Sequence, residues 1–300
     1  MLLKTVKEEF VFDCQCRKLS DRTIKNYSKQ IDYLFNFLRD EKGIVDIEDV
    51  KPQFIKQFLM AMKAKGRTVN YFNDLLKAFK VYFRYAFEEG YTETLVTEKI
   101  KNAKNEKIII RTFSDSEIKR LMNYYSGNKY IDIRNKTIIM MFVDTGIRLS
   151  ELTSLTEEQI KQEYIIIKGK GEKERVVPKS PLLSKWLMKY LAIRKVYFQY
   201  KNVPPNIFLS KNGRALDSSS IDKVLKMAGA ECAISSDIRV SAHTFRHTYA
   251  QYQLKTGLDI YSLSRILGHE NITITQTYLN GMRDKDVLAQ AQKTSPLMNL

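Results

Sequence analysis

Apolar residues return at threes and fours across almost all of the first ninety positions, a period that commits this part of the chain to helices. Ser20 precedes the longest run, in which Ile24, Tyr27, Ile31, Leu34, Phe35 and Leu38 recur before Gly43 stops it. A second stretch starts at Pro52, a good first-turn residue, and carries Phe54, Ile55, Phe58, Leu59 and Met62 toward Gly66. A third, Val69 to Glu89, aligns Phe72, Leu75, Leu76, Phe79, Tyr82, Phe83 and Ala86 on one face and ends at Gly90. With an initial helix from about Leu3 to Cys16, the spacing predicts a compact four-helix unit whose aromatics pack its core.

Between Tyr91 and Arg111 the periodicity lapses into a polar, Lys-rich stretch that reads as a linker, its positive charge suited to a phosphate backbone. A capping box, Ser114-x-x-Glu117, opens a second region in which helices alternate with a small strand pair, Tyr164 to Lys168 and Arg175 to Val177. At 300 residues the chain divides more naturally into two domains than one. Charge is unevenly spread along it. Residues 1–100 hold 18 basic and 15 acidic groups, the remainder 32 and 19, and the whole chain is formally +16. Such an excess favours a polyanionic partner, because each Lys or Arg on a phosphate releases condensed counterions; a merely soluble Lys-rich surface is the alternative. Cys14, Cys16 and Cys232 have neither disulfide-framework nor zinc spacing and read as reduced thiols. Early charges at Lys4, Lys7, Glu8 and Glu9 argue against a signal peptide, and the longest apolar run, Ile138 to Val143, is too short to span a bilayer. The expected location is therefore the cytoplasm.

Three segments of the second region carry chemistry. Ile138 to Val143 is apolar all round and predicts a buried helix that Gly146 ends, so Arg148 emerges from rigid surroundings with Glu151 one turn on to orient it. A buried structural ion pair would look the same. In Lys168-Gly-Lys-Gly-Glu-Lys-Glu-Arg175 two glycines flank Lys170 between the strands, which predicts a hairpin tip presenting Lys170 and Lys173. It lacks the phosphate-loop pattern, so no ATP is expected. The chain's three histidines all fall between His243 and His269. With Ser241 as N-cap, a helix from Ala242 to Leu254 puts His243, Arg246 and His247 on one face. Thr244 stands where a zinc-protease motif needs Glu, so a phosphodiester suits this Arg–His face better than a metal. Tyr278, one of seventeen tyrosines, follows Leu267-Gly-His269 by nine residues. Its company singles it out. Two arginines, a lysine and the histidines make a set able to stabilise a pentacovalent phosphoryl transition state, and no metal is invoked. A phenol with an ordinary pKa near 10 needs both such a cationic site and a base to attack at neutral pH.

Together these pieces resemble the tyrosine recombinase (phage integrase) family. Thr145-Gly-Ile-Arg-Leu-Ser-Glu-Leu152 resembles its first arginine box and Gly169-Lys-Gly-Glu-Lys-Glu-Arg175 its catalytic-lysine hairpin. His243-Thr-Phe-Arg-His247 resembles the His-x-x-Arg box, Leu267-Gly-His269 the third histidine, and Tyr278 the nucleophile. Asn280 departs from the histidine many relatives place there. The resemblance implies a mainly α fold with a small β-sheet: a SAM-like core-binding domain over residues 1–92, a basic linker over 93–111, a mixed α/β catalytic domain over 112–282 and a subunit-exchange tail over 283–300, closing as a C-shaped clamp on DNA.

The implied roles follow residue by residue. Arg148 and Arg246 hold the scissile phosphate with His269 as a further donor, and Lys170, or else Lys173, protonates the leaving 5′ oxygen. His243 moves the tyrosine proton, Glu151 supports the cations, and Tyr278 holds the 3′ phosphate covalently. His247 has no assigned chemistry beyond a supporting or core role. No cofactor is implied. The implied partners are double-stranded DNA with inverted-repeat core sites and a homotetramer, or a pairing with a related recombinase, acting through a Holliday junction in a bacterial cytoplasm. The starting point at the core-binding domain suggests an Xer-sized or small mobile-element branch. Base readout is expected from Thr68 to Lys80 and Asp217 to Lys226. Three other readings share parts of the pattern: a type IB topoisomerase, a DNA-binding protein that keeps the fold without the chemistry, and a metal-dependent nuclease.

Overall fold

The computed structural model describes residues 1–104, 111–169 and 174–281, together with the isolated positions 288 and 292. The chain forms two compact units, Met1–Lys107 and Ile108–Leu300.

The first unit contains four helices, α1 (Leu3–Cys16), α2 (Asp21–Lys42), α3 (Pro52–Ala64) and α4 (Val69–Glu88). Their ends follow local chemistry. Ser20 and Thr68 accept the N–H of Thr23 and Tyr71 as N-caps, Pro52 occupies the first turn of α3, and Gly43 closes α2. The expected aromatics are core: Phe10 meets Tyr82 edge-on at 5.5 Å, and Phe58 meets Phe79 at 5.7 Å. The basic segment expected to be a linker is not one along its first half. Val96 and Ile100, four residues apart, are buried against this core. The Asn73 side chain exchanges two hydrogen bonds with the backbone of Ala103, which ties the segment to α4. Two well-spaced apolar residues outweigh the polar composition around them.

The second unit is built around α6 (Tyr130–Thr145), on which α5 (Asp115–Tyr124), α8 (Pro181–Tyr197), α9 (Ser218–Glu231) and α10 (Ala242–Lys255) pack. Ile138, Ile139, Met140, Met141 and Phe142 are all buried, as an all-round apolar helix requires. The capping box at Ser114 and Glu117 is present. A short α7 (Leu149–Ser154) leads to an antiparallel pair, β1 (Tyr164–Lys168) and β2 (Glu174–Pro178), in which Ile165 faces Val177 and Ile167 faces Arg175. Only Ile165, Ile167 and Val177 of this pair are fully buried, so the sheet is a one-sided ribbon laid on the helical core. After α10 come α11 (Ile260–Leu267), α12 (Ile272–Gln276) and a 3-10 turn, Thr277–Gly281. Tyr249, Ala250, Leu254, Leu263, Leu267 and Tyr278 close over one another as a separate small core.

The hairpin tip with Lys170 and Lys173 lies outside the described residues, as does almost all of the tail from 283. Among the described residues, Cys14, Cys16 and Cys232 are free, and no helix is long and apolar enough to cross a membrane.

Candidate active site

The site begins where α6 ends. Gly146 has φ +58°, and a Cβ there would lie 2.5 Å from the Tyr249 ring, so glycine is demanded twice over. The chain then turns and delivers Arg148 to the start of α7. The Glu151 carboxylate accepts the backbone N–H of Arg148 at 2.8 Å and its Nη1 at 2.9 Å, as the three-residue spacing predicted. A residue that the sequence reading passed over holds Glu151 more firmly. Arg175, on β2, donates Nη1 and Nη2 to the two carboxylate oxygens, each at 2.7 Å, and its Nε to the Ile266 carbonyl at 2.8 Å. Arg148 Nη2 reaches the Gly268 carbonyl at 2.8 Å. A Cβ on Gly268 would sit 2.7 Å from Arg175 Cδ, so this turn admits the arginine only because residue 268 has no side chain. In the sequence, Arg175 looked like one more charge at the end of a hairpin.

Glu151 is buried, yet its pKa falls from 4.5 to about 2: desolvation pushes it upward, but the Arg175 hydrogen bonds and charge, followed by those of Arg148, outweigh that. A folded-state pKa below the unfolded value stabilises the fold fully above pH 4.5 and progressively less as pH falls toward 2. Glu151→Gln is therefore expected to lower unfolding free energy at pH 7 by about 3 kcal/mol. The gap from the wild type should shrink in urea titrations at pH 3. An equal gap at both pH values would contradict this account.

Arg246 comes from the first turns of α10, whose N-cap Ser241 accepts the Thr244 N–H as expected. The guanidinium is 5% exposed and spans three acceptors: the Gly146 carbonyl at 2.8 Å, the Leu267 carbonyl at 2.7 Å and His269 Nε2 at 2.9 Å. An arginine only donates, so His269 Nε2 is the unprotonated nitrogen and its Nδ1–H points to Thr275 Oγ1 at 2.8 Å. In this arrangement His269 has no spare N–H, and the donor role expected of it requires Arg246 to re-pair. Burial first, then Arg246, Arg148 and Arg175, hold the His269 pKa down at about 4. Burial and the neighbouring Arg148 likewise lower Arg246 to about 10, which still leaves it charged at neutral pH.

Three guanidiniums thus share one directly paired carboxylate among the described residues, a local surplus of cationic charge that suits an anion. An open groove of about 1340 Å³ exposes Arg148, Arg175, Lys168 and His269 along its wall. Tyr278 lies deeper and is 3% exposed, held between two imidazoles: His247 edge-on at 5.0 Å and His269 nearly parallel at 6.0 Å. His243, on the exposed edge of α10, hydrogen-bonds through Nε2 to His247 Nε2 at 2.6 Å. The structure therefore gathers Arg148, Glu151, Arg246, His269 and Tyr278, brings His243 in through His247, and adds Arg175 and Thr275. Among the described residues, no three His, Cys, Asp or Glu side chains come together in a way that could hold a metal ion.

The second unit thus buries a tyrosine beside an arginine cluster that suits an anion, and comparison with known proteins shows the family. Residues 111–283 match the model of the phage integrase family, and residues 7–93 match that of the phage integrase N-terminal SAM-like domain. The chain belongs to the phage integrase family. Tyrosine recombinase XerC of Thermodesulfovibrio yellowstonii is 26% identical over 283 residues, covering 93% of this chain and 91% of that one. Tyrosine recombinase XerD of Oceanobacillus iheyensis is 26% identical over 281 residues, covering 93% and 94%. Among solved structures, a lambda integrase tetramer bound to a Holliday junction superposes with a TM-score of 0.74 at 17% identity, over 94% of this chain and 79% of that one.

Proposed function

We propose that the protein is a site-specific DNA recombinase that cuts and rejoins strands through a 3′-phosphotyrosyl intermediate at Tyr278. The observation that carries this reading is Tyr278 itself, packed between His247 and His269 beside the buried Arg246, which has no ion-pair partner among the described residues. Arg148 and Arg246 hold the non-bridging oxygens of the scissile phosphate and stabilise the charge that grows on them in the transition state. Glu151 and Arg175 keep Arg148 in place.

In the first step the Tyr278 O–H bond breaks, its oxygen bonds to phosphorus, and the bond from phosphorus to the 5′ oxygen opens. His243 takes the phenolic proton, and a hairpin lysine, Lys170 or else Lys173, supplies one to the departing 5′ oxygen. In the second step a 5′ hydroxyl from another strand attacks the phosphotyrosine and releases Tyr278. One phosphodiester is exchanged for another, so no ATP is consumed.

Residues 1–92, with the first half of 93–111 packed on them, serve as the core-binding domain, the rest of 93–111 as the connection, 112–282 as the catalytic domain and 283–300 as a tail for a neighbouring subunit. The assembly is a tetramer, of this chain alone or with a related recombinase, on inverted-repeat core sites of double-stranded DNA. A Holliday junction forms midway, the state in which the lambda integrase relative is held. The task is integration or excision of a mobile element or Xer-like resolution, in a bacterial cytoplasm at the nucleoid.

The test is a duplex nicked beside the scissile phosphate, so that cleavage releases a short fragment and traps the enzyme. An SDS-stable adduct whose digestion products place the nucleotide on Tyr278 is expected without nucleotide triphosphate. Attachment to any other residue, or strand cleavage without attachment, would overturn the proposal.

A further inference from the structure

Among the described residues, His247 is the histidine in ring contact with Tyr278 that the reaction above leaves without a role. It is 6% exposed, and it lies between the two residues that must exchange a proton: one side meets His243, with ring centroids 4.1 Å apart, and another meets Tyr278. Among the described residues the ring contacts of Tyr278 are with His247 and His269, and His243 reaches it only through His247. The two Nε2 atoms stand 2.6 Å apart, so one donates and the other accepts. His247 Nδ1 is buried without a hydrogen-bond partner among the described residues. A proton there would be an orphaned buried N–H, the rarer kind of omission. The pairing therefore assigns the His247 proton to Nε2, donated to His243, and leaves a bare lone pair at Nδ1 on the buried side.

We propose that His247 is a proton relay: the Tyr278 proton passes to His247 Nδ1 while the His247 Nε2 proton passes to His243 Nε2. The phenolic O–H and the His247 Nε2–H bonds break, and bonds to His247 Nδ1 and His243 Nε2 form. The positive charge ends on His243, the exposed partner, where water solvates it. The Tyr278–Nδ1 hydrogen bond forms as DNA seats, since such bonds are commonly long before substrate arrives. Among the described residues the titratable groups facing the pair are Arg246 on the same helix, Tyr278 from the 3-10 turn and His269 from the turn after α11. Arg148, Arg175 and Glu151 act on Arg246 itself. Burial first, then Arg246, keep both imidazoles neutral at pH 7, with His247 down at about 4, so the relay is ready to accept.

The proposal rests on Tyr278 as nucleophile, and the experiment separates the two. Adduct formation on the nicked duplex is measured from pH 5 to 10 for wild type, Tyr278→Phe, His243→Ala, His247→Phe, His247→Gln and the His243→Ala/His247→Phe double variant. Phenylalanine keeps a flat ring against Tyr278, and glutamine keeps a donor to His243; neither shuttles a proton. Both are expected to slow the step about 100-fold at pH 7 and to regain rate as pH rises, because hydroxide replaces the relay. The double variant should be no slower than either single one. If either folded His247 variant keeps the wild-type rate and pH profile, or if the single losses multiply, the relay is wrong. An adduct formed by Tyr278→Phe would instead remove the nucleophile assignment beneath it.

Discussion

Phenylalanine at position 278 is expected to abolish the covalent protein–DNA adduct completely while leaving the fold and DNA binding in place. Only one oxygen is lost. The ring that fills the space between His247 and His269, and that helps close the small core with Tyr249, Leu254, Leu263 and Leu267, is retained. Among the described residues no hydrogen bond engages the Tyr278 hydroxyl, so its removal should change stability by no more than about 0.5 kcal/mol. DNA affinity depends on the Lys and Arg excess, which the substitution leaves alone. Gel-shift titrations at fixed salt should match the wild type within about twofold, while denaturing gels after incubation with nicked duplex show no shifted protein. Loss of binding together with the adduct would mean that Tyr278 is a structural residue whose ring happens to sit among histidines.

Arg246 should show the next largest effect, and Arg246→Lys is the more telling variant. The guanidinium holds three acceptors from two separate stretches: Gly146 at the end of α6, and Leu267 with His269 in the turn that ends α11. A lysine ammonium is a point charge and cannot span that fork, so it preserves the formal charge but not the geometry. The adduct-forming rate with bound DNA is expected to fall by roughly 10²- to 10³-fold, the usual consequence of losing one well-placed donor to a developing oxyanion. Stability should fall too, by about 2 kcal/mol, because buried carbonyls lose their partner. The His269 ring, released from donation by Arg246, should gain basicity, which a histidine proton titration by NMR would register as a pKa above the wild-type value of about 4. Wild-type cleavage by Arg246→Lys would show that charge alone suffices and that the buried fork is scaffolding.

The helices of both units were legible because their signals are local. Ser20, Ser114 and Ser241 cap the helices they precede, Gly43 and Gly146 end those they follow, and an apolar period of three to four states which face is inside. Short motifs resembling those of the phage integrase family singled out Arg148, Glu151, Arg246, His269 and Tyr278 as candidates. What spacing cannot express is contact between distant segments. Residues 93–111 read as linker, since their composition is polar, and only the burial of Val96 and Ile100 shows that the first half of the segment belongs to the first unit.

Tertiary structure alone decided how the charges are shared. Arg175 lies 24 residues from Glu151 and holds it in a fork that the turn at Gly268 makes room for. Arg246 bridges to a carbonyl 100 residues earlier. His247, placed by its helix on the same face as His243 and Arg246, acquires a role only because the 3-10 turn brings Tyr278 against it. Sequence determined which cationic, histidine and tyrosine candidates this protein has and where its helices begin and end, because capping and periodicity act within a turn or two. Packing between segments far apart in the chain determined which cation is neutralised, which nitrogen is left bare and which histidine touches the tyrosine.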